Sequence, residues 1–138
     1  MTLFQILRRF RRNKRGVGAI EFALIAPALL GMLVGITQLG KLYFARADLR
    51  NAVAYGARQA QIYPRPQTTA ISDAIRGKMV RIDKTRVTGP NITYATDANG
   101  FDYAQIEVQY AVKLNFAIYK PPPVTLIERR RVFLQPIS

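Results

Sequence analysis

One carboxylate, Glu21, stands in a run of 24 residues, positions 17–40 (VGAIEFALIAPALLGMLVGITQLG), that holds no other charge. Six basic residues, Arg8, Arg9, Arg11, Arg12, Lys14 and Arg15, precede that run, and Gly16 separates the two. A charged side chain at membrane depth costs roughly 2.5–3.5 kcal/mol on insertion scales, so it calls for a partner. The chemistry open to Glu21 is ion pairing rather than catalysis. The chain has no histidine and no cysteine, which removes the commonest general base, the commonest metal ligand and any thiolate. Ser72 and the scattered aspartates form no nucleophile–base or metal motif. No enzymatic activity, metal or cofactor is expected.

The element that carries Glu21 must be a helix. A spanning helix needs about 20 apolar residues, and residues 17–40 supply more than that. A cleaved secretory signal is the competing reading. Its apolar region runs to about 7–15 residues and ends at a small-residue cleavage site, whereas this run is longer and leads straight into a helical pattern. Basic residues stay on the cytoplasmic side of a span. The six before Gly16 therefore place the N-terminus inside and residues 41–138 outside the cytoplasm, and the same block is suited to anionic lipid. Pro27, inside the span, removes a backbone hydrogen bond and is expected to kink or loosen the helix. Gly31 and Gly35 form a GxxxG pair, a weak signal for close approach of a second helix.

The local order Arg15-Gly16-Val17-Gly18-Ala19-Ile20-Glu21-Phe22 resembles the type IV prepilin processing signal. That signal has a basic leader, a glycine before the cut, a glutamate at mature position five and an apolar helix behind it. The resemblance implies cleavage between Gly16 and Val17, which would make Glu21 the fifth residue and Phe22 the sixth. The new α-amino group of Val17 would titrate near pH 7.7–8.0 and be mostly charged at neutrality. It would offer Glu21 the partner that the bilayer demands; the family expectation is pairing with the amine of a neighbouring subunit. The run GAIEFALIAPALLGML after RRNKRG narrows the resemblance to the TadE-like pseudopilins of tight-adherence (Flp) pili, with Glu21, Phe22, Ala23 and Pro27 carrying the likeness. It covers roughly residues 10–60. Membership implies a dedicated prepilin peptidase and, as partners, other pilins and pseudopilins, inner-membrane pilus assembly proteins and the lipid bilayer. It also implies a part in pilus biogenesis, adhesion and biofilm formation. The 122 residues left after such a cut exceed the usual length of a major Flp pilin and favour a minor subunit.

Beyond the span, Leu42, Leu49, Val53 and Gly56 recur at helical spacing with Ala45, Ala52 and Ala60 beside them. A single helix is expected from residue 17 to about 62, projecting well past the bilayer and packing its small-residue stripe on its own head or on a neighbouring subunit. Tyr63-Pro64-Arg65-Pro66 ends it. Residues 69–79 read as a short second helix with Ser72 or Thr68 as cap. After Val80 the period falls to two. Residues 92–95 and 103–112 flank Asp97-Ala98-Asn99-Gly100, a hairpin signal, with Ile106, Val108, Tyr110 and Val112 on one face. Pro121-Pro122-Pro123 is stiff, and residues 125–134 form a last strand. The expected fold is α+β and pilin-like: a basic leader (1–16), a membrane helix (17–40), its extracytoplasmic continuation (41–62) and a head (63–138) with a short helix and a three- or four-stranded antiparallel sheet.

The net charge of +13 invites a nucleic-acid reading, but the densest basic block lies beside the span, so no nucleic acid is expected. Arg129, Arg130 and Arg131 alternate across a strand and read as a solvated edge that resists aggregation, with binding to acidic polysaccharide or DNA as the alternative. The functional expectation is a single-pass protein of the bacterial inner membrane, cleaved after Gly16, that takes part in tight-adherence pilus assembly. The alternative is an uncleaved membrane-anchored binding module of the envelope.

Overall fold

A computed structural model describes residues 16–116 and 119–134. The basic leader expected over residues 1–16 lies, Gly16 apart, outside them. Helix α1 (Val17–Ala60) is followed by helix α2 (Thr68–Lys78), a short 3-10 turn (Lys84–Arg86) and strands β1 (Val87–Thr96), β2 (Asp102–Val112) and β3 (Val124–Phe133). The strands form one antiparallel sheet in the order β1-β2-β3. The α+β, pilin-like fold expected from the sequence is the fold observed.

Helix α1 is unbroken over 44 residues and continues through Pro27. Its two halves differ in what surrounds them. An 18-residue window of mean hydropathy 2.2 lies in the apolar half with none of it buried, and large side chains such as Phe22, Leu24, Met32 and Leu33 are open on every side. In the second half Ala45, Leu49, Ala52, Val53, Gly56, Ala57 and Ala60 are buried, the stripe anticipated from the helical spacing. The exposed apolar half needs a non-aqueous surrounding; the second half supplies its own cover.

That cover is the head. Helix α2 turns Ile71 and Ile75 onto α1, and both are fully buried. A Cβ added at Gly56 would collide with Cγ1 and Cδ1 of Ile75, so the glycine is what lets the two helices approach. Helix α2 begins one residue earlier than expected. Its cap position is Gln67, with no side-chain cap bond, and neither Thr68 nor Ser72 caps it, because both lie inside the helix. The sheet contributes Ala104, Ile106, Val108, Tyr110 and Val112 of β2, buried in strict alternation, to one core with α1 and α2.

Strand β1 is longer than the alternating run that announced it. Gly89 sits at φ +90°, and its Cβ would press on the Asn91 amide and the Glu107 carbonyl. The register shifts between Thr88 and Asn91, which is a bulge of the kind a glycine permits. The Arg76 side chain of α2 donates to the Gly89 carbonyl and ties the bulge to the helix. The β1–β2 loop is organised by Asp97, whose Oδ1 accepts from the amides of Asn99 and Phe101 at 2.9 and 2.8 Å. Gly100 follows at φ +84°.

Strand β3 is an edge, as expected. Arg129 faces solvent and donates to Glu107 of β2 at 2.6 Å. The guanidinium of Arg131, on the same face, lies 4.3 Å from the centre of the Tyr103 ring. Arg130 falls on the opposite face, in register with Ile106, and is exposed.

Candidate functional site

The site is the N-terminal end and apolar half of α1. Helix α1 starts at Val17, with Gly16 in the cap position, no side-chain cap bond and no acidic residue in the first turn. The first amides of any helix lack intrahelical acceptors and carry positive potential. Glu21 lies one turn in, about 6 Å along the axis from Val17 at 1.5 Å per residue. It is exposed and has no hydrogen-bond or ion-pair partner among the described residues. Phe22 is exposed beside it.

At 100° per residue, Glu21, Leu24, Ala28, Gly31 and Gly35 fall within an arc of about 80° on the helix surface. Added Cβ atoms at Gly31 and Gly35 would meet nothing within 4 Å, so neither glycine is needed by the chain's own packing. The unpartnered carboxylate and the two open glycines therefore share one face. Such a face admits close approach of another helix, and it places a negative charge where a cation on that helix would be held.

At Pro27 the ring nitrogen has no hydrogen to give to the Ala23 carbonyl. The carbonyl is left without its helical partner inside the apolar half, although the helix does not break.

The sequence reading missed Gln38. Its residue is buried at the far end of the apolar run, and its Nε2 donates to the Asn115 carbonyl at 2.6 Å, while Oε1 has no partner among the described residues. An amide within an otherwise uncharged run was the available signal. The head thus reaches down α1 as far as Gln38. The helix from Val17 to Thr37 is left bare for about 31 Å at 1.5 Å per residue, the thickness of a hydrocarbon core.

Residues 16–58 match the sequence model of the family described as TadE-like protein. The match takes in Gly16, Val17, Glu21, Phe22, Pro27, Gly31 and Gly35 and ends inside α1, before α2 and the sheet. No curated protein and no solved structure matches the chain. Over residues 16–58 the long helix and its cap glycine are similar to that family.

Proposed function

We propose that the protein is a minor pseudopilin of a tight-adherence pilus, held in the bacterial inner membrane by α1 and processed by a prepilin peptidase. The observation that carries the reading is an exposed carboxylate, unpartnered among the described residues, near the start of a bare apolar helix within a TadE-like segment. Helix α1 begins at Val17, directly after Gly16, and Glu21 stands unpartnered one turn later within a TadE-like segment. Hydrolysis of the Gly16–Val17 amide gives a carboxylate on the leader and an ammonium group on Val17. In an assembly, that ammonium of one subunit neutralises Glu21 of the next, and the small face at Ala28, Gly31 and Gly35 lets the helices close up. The paired charges set the axial register between subunits. The basic leader keeps the N-terminus cytoplasmic and the head outside. Other pilins, pseudopilins and inner-membrane assembly proteins are its partners, and pilus biogenesis, adhesion and biofilm formation are the processes it serves.

The test is the N-terminal residue and intact mass of the protein extracted from its native membrane, with and without the prepilin peptidase. A mature chain starting at Val17 only when the peptidase is present is the expected result. An intact leader in both samples overturns the reading and leaves an uncleaved envelope anchor.

A further inference from the structure

The head has a basic underside. Strand β2 runs down α1 toward the apolar half and ends at Val112, and the segment after it delivers Asn115 to Gln38. Phe116 and Tyr119 then exchange both backbone hydrogen bonds, at 2.9 and 3.0 Å. Gln38 lies about 32 Å from Val17 along the helix, where a hydrocarbon core of about 30 Å has just ended. Lys113, Tyr119 and Lys120 therefore sit at the level of lipid headgroups, together with Lys41 and Tyr43 of α1 itself. All five are exposed. Arg81 comes down to the same end of the head, its guanidinium 5.5 Å from the centre of the exposed Phe44 ring.

The acids on this side are already engaged. Asp48 accepts from the amides of Val80 and Arg81, both at 3.1 Å. Asp83 accepts from the amide and hydroxyl of Thr85 and pairs with Arg86. Lys41, Arg81, Lys113 and Lys120 have no ion pair among the described residues. Asp97 and Asp102 lie at the opposite end, in and beside the β1–β2 turn. Aromatic side chains with cations beside them, at the end of a bare apolar helix, are the composition of a membrane interface.

We infer that this underside, Lys41, Lys113, Tyr119 and Lys120, is a seat for anionic phospholipid headgroups, holding the head down on the membrane that α1 crosses. The seat rests on the spanning part of the proposed function and is independent of leader cleavage. It biases the tilt of α1 by attaching the head to the surface at a second place, beside the helix.

The test uses the full chain in nanodiscs of phosphatidylcholine, with or without half phosphatidylglycerol, and reads hydrogen exchange of the amides of residues 113–116, 119 and 120. Exchange there should be slower in the anionic discs. Each seat lysine is expected to account for about fivefold, from the usual strength of one lysine at an anionic surface. The protection should vanish in 1 M salt, where screening reaches about 3 Å, and in Lys113→Glu/Lys120→Glu. Exchange of β2 amides should stay unchanged in that variant, which shows that the head is still folded. Equal exchange in both discs overturns the seat. So does protection that ignores lipid charge and follows the number of chains per disc, since that identifies a second copy as the occupant. Failure of the chain to hold in discs as a spanning protein overturns the seat and the membrane reading together. Leader cleavage is scored separately, in native membranes with and without the peptidase, so an intact leader there overturns the processing and leaves the seat standing.

Discussion

Replacing Gly56 by alanine offers a sharp test of how the head is built on α1. In an exposed helix the change would stabilise by up to about 1 kcal/mol, because glycine is the poorer helix former. Here the new methyl would overlap both Cγ1 and Cδ1 of Ile75, so rotating the terminal methyl alone does not clear it. Ile75 is fully buried and cannot swing into water. Over-packing of this kind costs about 1–3 kcal/mol. Set against the propensity gain, the net effect should be a loss of up to about 2 kcal/mol. The same substitution made in an Ile75→Ala background meets no obstacle and fills part of the space that the first mutation opened. There it should be neutral or stabilising, although Ile75→Ala alone costs about 2–5 kcal/mol. The coupling between the two sites is then about 2 kcal/mol, far above what distant sites show. Urea unfolding of the full chain in a fixed detergent, followed by near-ultraviolet dichroism of its tyrosines, measures all four corners of the cycle. A Gly56→Ala protein more stable than the parent, or an equal effect in both backgrounds, would refute the packing described.

Leu49→Ala removes a side chain that is 1% exposed and should cost about 2–5 kcal/mol in the same assay. Glu107→Gln addresses pH. The hydrogen bond from Arg129, followed by that from Gln109, holds the Glu107 carboxyl below its ordinary value of 4.5. A depressed folded pKa contributes stability above the unfolded value and loses it as pH falls through the folded one. The parent should therefore exceed Glu107→Gln in urea midpoint at pH 7, and the gap should close on acidification below about pH 4. Glu21→Ala removes a charge that costs roughly 2.5–3.5 kcal/mol in the bilayer, so membrane retention should be undiminished. Recovery of the protein with a pilus fraction should be lost, which immunoblotting of sheared fibres will score.

The long helix, its buried stripe and the β2 core face were legible because each follows a simple period. Leu49, Val53 and Gly56 recur as helix neighbours, and Ile106, Val108, Tyr110 and Val112 alternate as a half-buried strand must. Strand β1 was only partly legible. Gly89-Pro90 reads as a break, and the bulge that accommodates it depends on Arg76 and Glu107, which are remote in sequence. The absence of a side-chain cap on α2 was hidden for a related reason. Docking of Ile71 and Ile75 on α1 fixes where that helix begins, so capping propensity was overridden by packing. Glu21 announced itself by charge alone. Gln38 gave only a weak signal, since an amide near the end of an apolar run stands out little until the segment after β2 closes over it.

The continuity of α1 has a mechanical consequence. From Gln38 to Ala60 the helix continues for about 33 Å at 1.5 Å per residue, with no joint between the bare half and the half that carries the head. Membrane helices vary in tilt by about 20° and more. Over that arm, a tilt change of about 20° carries the far end of the head about 11 Å sideways, and any rotation about the helix axis turns the sheet through the same angle. Forces applied to the helix by neighbours in the bilayer are thus delivered to the head as displacement and torque. The chain behaves as a rigid crank, able to report outside the membrane what happens to its anchor within it.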